Sequence, residues 1–221
     1  MKRALVIGAS GGIGSALVSG LQGQGWQVTG LSRSQDGLDI TREESVAAHL
    51  GALTGSYPRI IIATGALEID GHRPEKALKQ LDPTAMAAQF AVNTIGPALV
   101  MKHALALLPR DEPAVMVVMS ARVGSIGDNR AGGWHSYRAA KSALNQIIRG
   151  AAIELARTHP QAACVALHPG TVATPFTEKY LGRHPAVAPD EAAQRLLAVM
   201  DSLTPADTGQ FFDYARKPVP W

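Results

Sequence analysis

The sequence predicts an α/β fold: a parallel, doubly wound β-sheet flanked by helices, in one domain spanning residues 1–221. Three observations carry this. Short apolar, β-branched runs alternate along the chain with longer segments of helical periodicity. No linker or low-complexity segment breaks the alternation. And 221 residues with 46% hydrophobic content are enough for one sizeable core. Strands separated by helical crossovers pair in parallel, because a parallel neighbour is reached only through such a connection.

The first strand is expected at 3–7, where Arg3-Ala4-Leu5-Val6-Ile7 stops at Gly8. Gly8-Ala9-Ser10-Gly11-Gly12-Ile13-Gly14 follows, and the spacing of Ile13, Leu17, Val18 and Leu21 predicts an amphipathic helix over 12–24. Strand, glycine turn and helix in that order form the context of a dinucleotide fingerprint, which makes the fold Rossmann-type. The spacing here is G-x-x-x-G-x-G. Gly8 permits the tight turn, Gly12 removes a side chain where a pyrophosphate approaches, and Gly14 lets the helix pack on the strand. Free N–H groups at the helix start, from Gly11 to Gly14, face the phosphates, with Ser10 beside them.

A second strand at 27–31 ends in Leu31-Ser32-Arg33-Ser34, with no acid until Asp36. A carboxylate at this position grips two free ribose hydroxyls, whereas a 2′-phosphate needs positive charge. Ser32 and Arg33 therefore point to NADP(H) over NAD(H), with Arg33 clamping the phosphate and stacking on the adenine. Only six residues separate Leu31 from the short extended piece Leu38-Asp39-Ile40, too few for a crossover helix. Either that helix is missing and the sheet edge is abbreviated, or 38–40 barely counts as a strand. Further strands are expected at 59–63, 114–119, 162–167 and 210–213. Helices should fill 42–53, 83–108, 134–158 and 189–203.

Chemistry enters with Tyr137 and Lys141, four residues apart in a helical segment and so on one face. A fixed ammonium beside a phenol stabilises the phenolate and lowers its pKa towards a useful range. Ser120 ends the apolar run 115–119, which places its hydroxyl at the carboxyl edge of the sheet, where open α/β folds bind ligands. From there it can hydrogen-bond a carbonyl oxygen gaining negative charge. Asn93 lies four residues before Pro97, which has no N–H, so the Asn93 carbonyl loses its helical donor and the helix should kink.

Together these residues resemble the short-chain dehydrogenase/reductase family. The 8–14 turn, Asp39, Thr64-Gly65, Asn93, Ser120, Tyr137/Lys141 and Pro169-Gly170 fall in the family's order over nearly the whole chain. The chain looks most like the shorter, C-factor-like branch. The resemblance implies hydride transfer between NADP(H) and a carbonyl or secondary-alcohol substrate at a Ser120, Tyr137, Lys141 and Asn93 site. It implies that Asp39 bonds the adenine edge with Ile40 beside the ring. It also places Thr64 and Gly65, where relatives have Asn-Ala-Gly, at the cofactor ribose. Pro169, Gly170 and Val172 contact the nicotinamide carboxamide region, Lys141 also binds the ribose, and Asn93 anchors a water that relays protons. Relatives separate the serine and tyrosine by fewer residues; the extra length falls in 127–133, which reshapes the pocket or touches a subunit neighbour. A substrate lid is expected at about 174–188, with Phe176, Tyr180 and Leu181 apolar. Family members commonly associate through long helices, so a homodimer or homotetramer is expected. The C-factor likeness also keeps open a nucleotide-binding signalling or sensor protein with little turnover.

Other classes find less support. Formal charge is +3, from 21 basic and 18 acidic residues, without a basic run, so no nucleic-acid partner is expected. No uninterrupted apolar stretch approaches 18 residues, so no membrane span is expected. The start superficially resembles a signal peptide, but glycine interrupts it after four apolar residues, which leads to the expectation of a cytoplasmic enzyme. Cys164, the one cysteine, sits in an apolar run and is read as a buried thiol. Seven histidines lack metal-ligand spacing, so no metal is expected. His135 either lines a pocket or is an exposed helix-start residue, and neither it nor His168 is read as catalytic.

Overall fold

A computed structural model describes residues 2–181 and 186–221. The elements run β1 (Arg3–Ile7), α1 (Gly12–Gly23), β2 (Gln27–Leu31), α2 (Arg33–Asp36), α3 (Glu43–Gly51) and β3 (Arg59–Ile62). Then come α4 (Pro83–Phe90), α5 (Gly96–Ala104), β4 (Ala114–Met119), α6 (His135–Thr158), β5 (Ala162–His168), α7 (Pro189–Asp201) and β6 (Phe211–Asp213). All six strands are parallel, in the order β2-β1-β3-β4-β5-β6.

Because strand side chains alternate, each central strand feeds two cores. Leu5, Ile7, Ile60, Ile62, Met116, Val118, Cys164 and Ala166 face the helices α3, α5 and α6. Ala4, Val6, Ile61, Val117, Met119, Val165 and Leu167 face α1 and α7. The central strands are buried on both sides and read as continuous apolar runs, as parallel sheets do. Burial pushes the Cys164 thiol up to about 12, so it behaves as a core residue.

Two departures from the expected elements have local causes. The first concerns the short connection after β2. Residues 38–40 form no strand, so β2 is the sheet edge. The missing crossover is replaced by one helical turn, α2, capped by Ser32 Oγ accepting from the Gln35 N–H at 3.2 Å and ended by left-handed Gly37. The second concerns 83–108. Asp82 caps α4 by accepting from the Ala85 N–H, and Pro83 supplies its first turn. The segment then loosens into a π-turn at Ala91–Ile95, where Gly96 N–H reaches Ala91 O, before α5 resumes with Pro97 in its first turn. Pro97 cannot donate to Asn93 O, and the wider turn accommodates that loss. The span Pro83–Leu107 is long and apolar enough to cross a membrane, with mean hydropathy 1.3; here 44% of its most apolar window is buried within the fold.

Candidate active site

The chain reverses direction across the sheet between β1 and β3, and the expected site residues gather at the carboxyl ends around that point. Gly8 has φ +90°, and a Cβ there would lie 2.7 Å from Ala63 O, so glycine is needed where the two strand ends meet. A Cβ on Gly14 would overlap the Gly8 carbonyl, so glycine there lets α1 start close against the turn that follows β1. Gly11 caps α1 without any side-chain hydrogen bond, so the first N–H groups of α1, including that of Ile13, are open to an anion. Gly12 differs from expectation: the atom its Cβ would strike is Thr174 Cγ2, at 2.6 Å. Its bareness makes room for Thr174, where the expected lid begins.

On the β2 side, Ser34 donates to Ser10 Oγ at 2.9 Å, tying the glycine turn to α2. Arg33 is exposed on that turn. The sequence spacing had set Asp36 aside, yet α2 folds its carboxylate back onto Ser32, where it accepts from the N–H at 2.7 Å and the hydroxyl at 3.2 Å. An acid and an arginine therefore share the end of β2. Asp39 spends one carboxylate oxygen on Thr41, accepting from its N–H and hydroxyl, and these bonds hold its pKa below the ordinary value. Ile40 packs against Gly96. Neither contact excludes an adenine neighbour, and neither supplies one.

Thr64 Oγ1 is buried without a hydrogen-bond partner at the end of β3, and its methyl lies against Gly8. Gly65 has φ +155°, and a Cβ there would fall 2.9 Å from Asn93 Oδ1 and 3.5 Å from Lys141 Nζ. The Asn93 side chain, fully buried, accepts from the Ala66 N–H at 3.0 Å and donates to Ala66 O at 2.8 Å. It also donates to Gln89 Oε1, while Gln89 donates to Leu67 O. Asn93 and Gln89 thus clamp the backbone that follows β3. After β5, Gly170 (φ +81°) lies under the Tyr214 ring, Pro169 precedes it, and Val172 is buried at the base of the lid. His168 Nδ1 has no partner, and burial first, then Arg122, pull this imidazole down to about 4.

Tyr137, Lys141 and Ser120 converge at the ends of β4 and α6, but at rest they do not bond one another. Ser120 donates to Asn145 Oδ1 at 2.5 Å. Lys141 donates to Met119 O at 3.1 Å, and its Nζ stands 6.0 Å from the Tyr137 ring centre. Burial pushes the Tyr137 pKa above its ordinary value and pulls Lys141 down to about 8. The expected lowering of the phenol by the ammonium is therefore overturned in this arrangement: desolvation of a 5%-exposed phenol outweighs an ammonium at that distance.

An aromatic cluster covers the phenol. Phe176 lies edge-on to Tyr137 at 6.3 Å, Trp134 to Tyr137 at 6.4 Å, and Tyr180 to Trp134 at 5.5 Å. The described part of the expected lid includes the turn Glu178–Tyr180; residues 182–185 lie outside the described residues. Glu68 holds this turn, accepting from Lys179 at 2.8 Å and Tyr180 at 2.6 Å. A pocket of about 210 Å³ opens between Gly65–Glu68 backbone and Pro175, Phe176, Lys179 and Tyr180. Among the described residues no group of three or more His, Cys, Asp or Glu could hold a metal.

Sequence reasoning missed Asn145, Gln89, Glu75, Trp134 and Glu68. Two had a signal: Asn145 continues the Tyr137, Lys141 step of four along α6, and Gln89 sits four before Asn93. The others are fixed by contacts between distant segments.

Fold and site define a dinucleotide-type α/β protein with a tyrosine–lysine pair at the carboxyl edge of its sheet. The family described as enoyl-(acyl carrier protein) reductase matches residues 8–211. The 1-hydroxy-2-glutathionyl-2-methyl-3-butene dehydrogenase of Rhodococcus sp. (strain AD45) is 30% identical over 96% of each chain. C-signal of Myxococcus xanthus is 34% identical over 66% of this chain and 84% of its own. Among solved structures, the NADPH-bound carbonyl reductase from chicken fatty liver superposes with a TM-score of 0.83 at 21% identity, covering 100% of this chain and 94% of that one. The chain belongs to the short-chain dehydrogenase/reductase family of oxidoreductases.

Proposed function

We propose that this protein is an NADP(H)-preferring oxidoreductase that interconverts a carbonyl and a secondary alcohol, with Tyr137 as the proton-transferring group. The observation that carries the reading is the convergence of Tyr137, Lys141, Ser120 and Asn93 beside the turn between β1 and α1. The residues present fit a dinucleotide: an uncapped helix start, glycine at Gly8 and Gly14, and the unpartnered Thr64 hydroxyl at the strand end. Gly8 to Gly14 would hold the pyrophosphate, Arg33 the 2′-phosphate, and Lys141 and Thr64 the nicotinamide ribose. The bound nicotinamide supplies or accepts the hydride.

The protein's own groups handle the proton. In the reductive direction the Tyr137 phenol, protonated at neutral pH, gives its proton to a substrate oxygen; burial makes it a weaker acid, so a closer approach of the Lys141 ammonium than in this arrangement is part of the reading. Ser120, released from Asn145, steadies the same oxygen. Lys141 Nζ and Asn93 Oδ1 both lie against Gly65, and Lys141 would return a proton from that side, with Asn93 as the water anchor. Trp134, Phe176 and Tyr180 exclude water around the reacting atoms. The NADP(H) preference rests on Arg33; the NADP(H)-bound relatives of the same fold support it, and Asp36 opposes it. A cytoplasmic homodimer or homotetramer completes the reading, with Ile95 and Ile153 exposed on the long helices available for association.

A signalling role has one observation in its favour, the identity to C-signal. The two readings part on turnover. A panel of ketones, aldehydes and alcohols, followed by NADPH absorbance, should find a substrate for the wild type. Tyr137→Phe should then lose about 10²–10⁴-fold in kcat while still binding NADPH. A folded Tyr137→Phe protein of undiminished activity removes the mechanism; a wild type that binds NADPH and turns over nothing favours signalling.

A further inference from the structure

Glu75 is a buried carboxylate, 8% exposed, for which the chemistry above has no use. Burying a carboxylate is unfavourable unless its oxygens find donors. Here the donors from another segment come from the start of α6. Oε2 accepts the Ser136 N–H at 3.2 Å, Oε1 accepts the Ser136 hydroxyl, and the Glu75 carbonyl accepts the Trp134 N–H at 2.5 Å. Burial alone would raise the Glu75 pKa, but the Ser136 bonds hold it below its ordinary value.

Helix α6 needs this help. Its cap position is Trp134, a left-handed residue (φ 52°, ψ 40°) whose indole makes no capping bond. Ser136 and Tyr137 are its second and third residues, within the turn whose N–H groups have no helical acceptors. A carboxylate at the positive end of a 24-residue helix meets both its donors and its dipole. The carboxylate thereby grips Ser136, which adjoins the phenol, while the Glu75 main-chain carbonyl separately holds Trp134, which walls it. Glu75, Gln89, Ser136 and Tyr137 also share one water-sized cavity, so the carboxylate and the tyrosine border the same space.

We propose that Glu75 is a positioning residue for Tyr137: its carboxylate, supplied from 61 positions away, caps the catalytic helix through Ser136 and fixes the first turn that carries the phenol. This rests on the reading of Tyr137 as the proton-transferring group. It also ties the segment after β3, which borders the substrate side, to the geometry of the phenol.

The test compares Glu75→Ala, Glu75→Gln and Ser136→Ala with wild type, by steady-state kinetics and by amide hydrogen exchange of the peptide covering residues 134–141. In Glu75→Ala, exchange in that peptide should accelerate on the order of 3–30-fold, the range that loss of a helix cap produces, while β1 and α1 stay protected. Its kcat should fall at least about tenfold with KM for NADPH unchanged, because a misplaced acid costs turnover and not cofactor binding. Glu75→Gln keeps an acceptor oxygen and should recover part of both losses; Ser136→Ala should show a smaller loss of each. Unchanged exchange in all three variants overturns the capping role. Faster exchange with full kcat overturns the positioning role. If wild type proves to have no turnover, the Tyr137 reading fails separately, and the exchange measurement still decides whether Glu75 holds the turn. If Glu75→Ala does not fold, Glu75→Gln and Ser136→Ala carry the same comparison.

Discussion

Lys141 should be retained at a cost to stability, and the cost should depend on pH in a defined direction. The side chain is 3% exposed, and burial pulls its pKa from 10.5 to about 8. A base whose folded pKa lies below its unfolded one is penalised for being charged. The penalty is absent above about 10.5, grows as pH falls, and is complete below about 8. It amounts to about 3 kcal/mol at pH 7 and about 1 kcal/mol at pH 10. Lys141→Met removes the penalty at every pH. It also removes the bond to Met119 O, a loss of about 1 kcal/mol that shifts the offset and leaves the slope. The stability advantage of the variant should therefore shrink by about 2 kcal/mol between pH 7 and pH 10. For a chain of this size that is a narrowing of roughly 4–8 °C in the difference of melting temperatures. Calorimetry of both cofactor-free proteins at pH 7, 8, 9 and 10 measures it. The scan ends at 10 because the Tyr137 phenol, raised by burial, destabilises the fold as unfolded tyrosine begins to ionise. A difference in melting temperature that stays constant across the range would refute the desolvated lysine.

Two further outcomes are expected. Arg33→Ala should weaken NADP(H) binding roughly 10–150-fold and spare NAD(H), as loss of a charged hydrogen bond implies; equal loss for both in a titration would mean Arg33 reads something else. Gly14→Ala should lower the melting temperature by roughly 2–12 °C, because its Cβ meets backbone of Gly8 and Ala9, whereas Gly11→Ala, 3.4 Å from its nearest neighbour, should leave it nearly unchanged. Similar melting for the two alanine variants would show that the turn yields.

Most of the fold was legible because its signals are local. The runs Arg3-Ala4-Leu5-Val6-Ile7 and Ala114 to Met119 are apolar enough to demand burial on both faces, and the structure gives them those bounds. The missing crossover was legible for the same reason, since chain length alone forbids it. What replaces it was not. A four-residue turn that returns Asp36 to Ser32 depends on a cap, an acid four residues on, and Gly37, each weak by itself. The break in the helix over 83–108 was legible at Pro97, but its form was not: a proline announces a lost hydrogen bond without saying whether the chain kinks or widens into a π-turn.

The site divides along a similar line. Tyr137, Lys141 and Ser120 were legible from spacing and a strand end, Asn93 from the resemblance and the proline four residues on, and the structure brings Lys141 and Asn93 together beside Gly65 and Lys141 to the end of the strand before Ser120. Their resting partners were only partly legible: Gln89 is one helical turn from Asn93 and Asn145 one turn beyond Lys141, but Ser120 meets Asn145, Lys141 meets Met119 O and Asn93 meets Ala66 only once distant segments pack together. These bonds explain how such polar groups remain buried, since an unpaired one would lose its hydration uncompensated. Each bond is worth only about 0.5–1.5 kcal/mol net, so a substrate oxygen offering an equivalent acceptor can take over a hydroxyl at little cost. Asn145 sets the direction of that exchange. Its Nδ2 donates to Gly124 O at 3.3 Å, which leaves Oδ1 turned to Ser120 and commits the serine proton to the helix until a better acceptor arrives. The Tyr137 phenol makes no such bond to Ser120 or Lys141, and burial keeps it protonated. Among the described bonds, Asn145 takes the Ser120 proton and Met119 O takes one of the three on Lys141, which leaves the phenol as the uncommitted hydroxyl of the site.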